Sequence, residues 1–248
     1  MRLIRTIRGI YRKFCEEYSF NPISTIYYNF KFLPFSQAIK VPILLNDIKF
    51  HRSDAKVEIQ CKKIEFGMIK IGVKYNDLYH IRKKSHYELC KGGKVVFHGR
   101  CSIGKGGHVD VEPNGLLEFE DDVNINAGLN LYAFYKIKFG KGCRIGFETT
   151  ILDSDFHAMY DIVGKRYVKT YSPIEIGENC WIGMKTIIKK GTKIYPNNII
   201  ASASVVSGLF RKENCIIQGN PANVVAEGYR INPETFYEPV TVRQKAYK

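Results

Sequence analysis

His157 is the residue in this chain best suited to move a proton. A free imidazole titrates near pH ~6.5, so it can take a proton from a hydroxyl near neutrality, and a positioned base is worth roughly 10²–10⁴ in rate. It closes the run Asp153, Ser154, Asp155, Phe156, His157. Asp155 stands two residues before it and is expected to hold the other ring nitrogen, with Asp153 as the rival for that role. Asp155 also occupies a position where a small polar residue would simply finish a turn. Charge and tyrosine follow as Tyr160, Asp161, Lys165, Arg166, Tyr167, Lys169 and Tyr171. Trp181, the only tryptophan, precedes Ile182 and Gly183 and is expected to point away from the core.

Other candidate groups carry less chemistry. Metal hydration on a repeat scaffold of this kind would need three histidines, and of His51, His80, His86, His98, His108 and His157 only the last falls in the strongly periodic region. No metal site is expected, and His98 and His108 are read as surface residues. Gly104, Lys105, Gly106 and Gly107 lack the GxxxxGK[ST] pattern of a phosphate loop and are read as a corner. Seven cysteines without CxxC spacing point to reduced thiols in a cytoplasmic protein rather than to disulfides or a zinc cluster.

The element that must position His157 is a repeat. Apolar anchors recur every sixth residue as Ile176, Ile182, Ile188, Ile194, Ile200 and Val206. Small or polar residues follow four positions later at Cys180, Thr186, Thr192, Asn198 and Ser204, and Asn179, Gly191 and Asn197 just before three of these tolerate positive φ. The rhythm continues upstream as Phe139, Ile145, Ile151, as Phe119, Ile125, Leu131, Ile137, and more faintly as Phe97, Ile103, Val109. A period of six is neither helical nor a simple strand alternation. It predicts a short strand and a corner, repeated, so that three hexads make one triangular coil and the anchors stack inside a prism. Between Ile151 and Ile176 the anchors are 25 residues apart, so about nineteen residues, beginning with the run from Asp153 to His157, leave the prism as a loop.

At 248 residues with 45% apolar side chains the chain is long enough for a buried core and is not disordered by composition. No apolar run is long enough to span a bilayer, and residues 1–10, interrupted by Arg2, Arg5 and Arg8, lack the apolar centre of a secretory leader. The net charge of +14 admits an anionic partner without choosing one. Leu3, Ile7, Ile10, Phe14 and Tyr18 fall at helical spacing among Arg2, Arg5, Arg8, Arg12 and Lys13. The segment reads as a basic amphipathic helix that could pack on its own protein or lie on an anionic membrane.

On residues 145–157, 176–207 and 217–225 the chain resembles the hexapeptide-repeat, left-handed parallel β-helix acyltransferases, most closely those that O-acetylate bacterial surface polysaccharides. The resemblance runs over about residues 93–225 and supplies the left hand of the coil. It implies acetyl-CoA as donor, a sugar hydroxyl as acceptor, His157 as general base, Trp181 in the active site, and a homotrimer with sites between adjacent subunits. No nucleic-acid partner is implied. Acyl-CoA would lie along the late coils against the small residues Gly183, Ala201, Ser202 and Ala203, with Gly219, Asn220, Pro221 and Ala222 near its adenine. Two positions depart from the family pattern, Gly208 and Asn223, where basic residues often stand. The CoA phosphates would then fall to Lys189, Lys190, Arg211 or Lys212. The rival readings are an N-acetyltransferase of a nucleotide-linked amino sugar and a non-catalytic solenoid binding glycans or membranes.

The expected organisation is an amphipathic helix at 1–18, an irregular lead-in of early β coils at 19–92, the β-helix at 93–225 with an excursion loop at 156–173, and a tail at 226–248. Localisation is expected to be cytoplasmic, with peripheral membrane contact through residues 1–18.

Overall fold

The computed structural model describes residues 20–73 and 83–232. The helix expected over 1–18 and most of the expected tail lie outside the described residues.

The hexads fold into a prism of three parallel sheets. The first runs through Ile43–Leu45, Ile69–Val73, Cys101–Gly104, Val123–Ile125, Arg144–Ile145, Trp181–Ile182, Ile199–Ile200 and Cys215–Gly219, and Ala222–Glu227 closes it antiparallel. The second includes His108–Val111, Asn130–Ala133, Thr150–Leu152, Ile187–Ile188 and Val205–Val206; the third includes Leu116–Phe119, Lys136–Phe139, Ile174–Ile176, Lys193–Ile194 and Leu209–Phe210. Each sheet carries one row of anchors. Ile103, Ile125, Ile145, Ile182, Ile200 and Ile217 are register partners up the first. Val109, Leu131, Ile151, Ile188 and Val206 climb the second, and Phe97, Phe119, Phe139, Ile176 and Ile194 the third. All are essentially inaccessible, and the rings of Phe97, Phe119 and Phe139 stack 5.2 Å apart. The prism is a left-handed β-helix.

The small polar position has a local cause. Thr186 Oγ1 donates to the Gly183 carbonyl (2.8 Å), Thr192 Oγ1 to Lys189 (2.6 Å) and Ser204 Oγ to Ala201 (2.7 Å), so each side chain satisfies a carbonyl three residues back in its own corner. Asn198 donates to the Tyr195 and Lys212 carbonyls and accepts the Cys215 N–H, tying two coils together. The residue before each of these turns left-handed: Asn179, Lys185, Gly191, Asn197 and Ala203 all have positive φ. Three of the five are types that tolerate it, while Lys185 and Ala203 adopt it because the corner demands it. Cys143 and Cys180 also sit buried at corners and Cys101 is buried at the start of its strand; burial pushes the Cys180 thiol up to about 12, which keeps it protonated. The 104–107 run is a corner, with Gly106 at φ +78 and no room for a Cβ at Gly107, which would lie 2.5 Å from the Leu129 carbonyl oxygen.

The prism begins well before residue 93. Coil strands start at Ile43, and two helices precede them, α1 at Pro22–Phe32 and α2 at Phe35–Ala38, which hexad counting does not foresee. Asn21 caps α1 by accepting the Ser24 N–H, and Pro22 occupies its first turn. At the other end, residues 226 and 227, expected in the tail, complete the last antiparallel strand.

Candidate active site

The excursion leaves the prism after Thr150–Leu152, at the corner between the second and third sheets, and folds into an antiparallel hairpin of Met159–Asp161 and Arg166–Val168. Its neck is tightly held. Asp153 is fully buried, and its carboxylate accepts the backbone N–H groups of Phe134 (2.8 Å), Tyr135 (2.8 Å) and Lys136 (2.6 Å), which belong to the corner one coil below. Burial pushes the Asp153 carboxyl above its usual range, against the downward pull of those three amides. Ser154 and Tyr171 bridge across the neck, and Ser172 N–H donates to the Asp153 carbonyl. Tyr171 packs on Phe134 and Tyr135, with Lys169 Nζ 4.8 Å above its ring centre.

His157 emerges just beyond this neck and is exposed. Its main chain is fixed by donation of its N–H to the Asp155 carbonyl (2.7 Å), and Phe156, at φ +60, sets its ring edge-on against Tyr132. Among the described residues nothing bonds the imidazole nitrogens, which leaves both lone pair and N–H open to a ligand. The expected orienting carboxylates are used elsewhere. Asp155 pairs with Lys190, whose Nζ also donates to the Lys169 carbonyl (3.0 Å), and Asp153 is consumed by backbone amides. No hydrogen bond or ion pair joins Asp155 to the imidazole, and Lys190, expected at a CoA phosphate, stands at the loop base. The reason is coil stacking, which sets the corner of residues 189–192 directly against the neck.

Trp181 is 44% exposed and opens a first-sheet strand, its N–H bonded to the Asn198 carbonyl. It therefore follows the corner between the third and first sheets, whereas His157 leaves between the second and third. The topology of one chain does not bring them together. Gly183, Ala201, Ser202 and Ala203 share the corner between the first and second sheets. A Cβ at Gly183 would lie 2.5 Å from Ser202 N, so stacking of the coils already requires that glycine. Ser202 and Ala203 are exposed, and their short side chains leave the backbone open to a slender ligand. Asn220 and Pro221 form the exposed turn between the last two strands. Arg211 is exposed one corner away, and Lys212 is paired with Glu227 at 2.5 Å. Sequence reasoning passed over Tyr132 and Tyr135, whose rings hold Phe156 and Tyr171; an aromatic at an outward hexad position was the available signal.

The site is thus one exposed imidazole on a long loop anchored to a stacked β-helix. No family model matches the chain. Over 173 residues it is 31% identical to an uncharacterized 24.8 kDa protein in the cps region of Klebsiella pneumoniae, covering 68% of this chain and 76% of that one. Over 141 residues it is 25% identical to the Escherichia coli (strain K12) protein named "putative lipopolysaccharide biosynthesis O-acetyl transferase WbbJ", covering 54% and 71%. The fold matches the crystal structure of the polySia specific acetyltransferase NeuO with a TM-score of 0.57 at 18% identity, over 84% of this chain and 82% of that one. The chain shares the left-handed β-helix fold of that acetyltransferase and resembles the hexapeptide-repeat acyltransferases.

Proposed function

We propose that this protein moves an acetyl group from acetyl-CoA to a sugar hydroxyl of a bacterial surface polysaccharide or its precursor, with His157 as general base. The observation that carries the proposal is the placement of His157, an exposed imidazole whose backbone is locked at a buried, hydrogen-bonded loop neck. The Klebsiella relative from a cps region and the lipopolysaccharide-related name of the E. coli relative support a surface-glycan acceptor.

In the reaction, the acceptor hydroxyl gives its proton to the imidazole as its oxygen attacks the thioester carbonyl. The carbon–sulfur bond then breaks, and the thiolate of CoA takes the proton back from His157. A backbone N–H or the Trp181 indole stabilises the oxyanion. No acyl-enzyme forms. Because Trp181 and His157 occupy different corners, the site is completed between two copies in a homotrimer, with the pantetheine arm along Ala201, Ser202 and Ala203 and the adenine near Asn220 and Pro221. Lys189 and Arg211, both exposed, are the basic residues for the CoA phosphates.

The test is thiol release from acetyl-CoA by wild type and His157→Ala with a panel of hydroxyl and amino sugars, alongside CoA binding. Acceptor-dependent release should fall by roughly 10²–10⁴ in the variant while CoA binding persists. Turnover only with amino sugars would assign N-transfer, and undiminished turnover in the variant would remove His157 as the base.

A further inference from the structure

Helix α1 turns Tyr28 and Phe32 toward the core and Phe50, together with two polar side chains. Its fully buried residues are polar, Thr25 and Asn29, because the helix lies against Ile43–Leu45, the edge strand of the first sheet. Asn29 Nδ2 donates to the Ile43 carbonyl (2.7 Å), Asn29 Oδ1 accepts the Ile43 N–H (3.2 Å), and Thr25 Oγ1 accepts the Leu45 N–H (3.0 Å). These side chains satisfy backbone groups that an open sheet edge would leave unpaired.

The opposite face is apolar and uncovered among the described residues. Ile23, Ile26, Tyr27 and Phe30 recur at helical spacing with exposures of 79%, 54%, 59% and 48%, and Phe35 (72%) and Ile39 (54%) extend the stripe across α2. Phe30 and Phe35 lie 6.0 Å apart. A contiguous stripe of this kind on a folded chain marks a contact surface.

Charge identifies the occupant. No Asp or Glu occurs between Tyr18 and Lys40, and the segment leading into α1 carries Arg2, Arg5, Arg8, Arg12 and Lys13 against Glu16 and Glu17. That segment precedes the stripe in sequence and spaces its own apolar residues three or four apart. An apolar, aromatic stripe continued in sequence by a basic amphipathic stretch fits an interface with hydrocarbon beneath and anionic headgroups around it. We propose that the α1–α2 face docks this protein on an anionic lipid bilayer. Among the described residues no helix is long and apolar enough to cross a membrane.

The test is partition of the full chain onto vesicles of phosphatidylcholine alone or with roughly a third phosphatidylglycerol, with wild type expected to favour the anionic vesicles by about tenfold or more. The triple variant Ile23→Ser, Tyr27→Ser, Phe30→Ser should lose about tenfold or more of that partition while its melting temperature stays at the wild-type value. A second variant, Arg5→Gln with Arg8→Gln and Arg12→Gln, leaves α1 untouched and should lose the preference for anionic lipid. Absence of partition, equal partition on both vesicles, or partition indifferent to the α1 substitutions overturns the proposal. So does a change of oligomeric state, or of proteolysis within residues 1–18, caused by the α1 substitutions without lipid, which would assign the stripe to a second copy or to the chain's own N-terminal segment. Partition is read without acetyl transfer, so its failure is distinct from failure of the enzymatic reading.

Discussion

Truncating Asp153 to alanine should both destabilise the prism and slow the reaction, because one buried carboxylate holds the loop neck to the coil below. Its removal leaves the N–H groups of Phe134, Tyr135 and Lys136 without their acceptor. An unmade bond costs about 1–3 kcal/mol where water is excluded. Phe134 and Tyr135 are partly exposed, so water reaches some of these groups, and the lower end of that range applies. Three bonds then give about 3 kcal/mol, which at about 2–4 °C per kcal/mol lowers the melting temperature by roughly 6–12 °C. Asp153→Asn should fall between, since its amide oxygen keeps one or two of the bonds while its NH₂ faces an N–H donor. Thermal unfolding of the three proteins measures the first effect. Steady-state turnover measures the second: kcat for acetyl transfer should fall about tenfold or more as His157 loses its register, with CoA affinity unchanged because the small-residue corner lies on another edge. A variant that melts within about 1 °C of wild type and turns over normally would refute the account of the neck.

Asp155→Asn and Lys190→Met should each reduce turnover to a similar extent, because both break the same pair at the loop base. A much larger loss for the aspartate, with a shifted pH–rate profile that the lysine variant lacks, would instead return Asp155 to the imidazole. Glu58, held at about 2 by hydrogen bonds from Lys56 and then Lys94, lies below its ordinary 4.5. Its unfolded form binds a proton first on acidification, so the stability it contributes is complete above pH 4.5 and is lost as pH falls toward 2. The difference in melting temperature between wild type and Glu58→Gln should shrink across that window, and a constant difference would contradict the pairing.

The anchors were legible because a solenoid is quasi-one-dimensional: every coil meets the same neighbours, so the same position must be apolar each time. Ile182, Ile188 and Ile194 announce three faces of one coil, and the buried ladders follow from them directly. The interruption after Ile151 was equally legible, since chain that leaves the prism no longer needs an anchor every sixth residue. The coils before residue 93 were faint for a physical reason. Register partners are 26 residues apart at Ile43 and Ile69 and 32 at Ile71 and Ile103, against 18 at Ile182 and Ile200, so longer connections blur the period.

Partnership between side chains was settled only in three dimensions. Asp155 and His157 are neighbours in sequence, yet Lys190, in the next coil, captures the carboxylate. Asp153 looks like half of a catalytic pair, but it ends among amides 17 to 19 residues earlier in the chain. In α1, the need of the edge strand for hydrogen bonds turns Thr25 and Asn29 inward and leaves Ile23, Ile26, Tyr27 and Phe30 outside. The hexads dictate where a side chain stands along the prism, because that depends on local spacing. Which charge or amide it meets depends on the coil stacked beside it, and that distance is set by the fold.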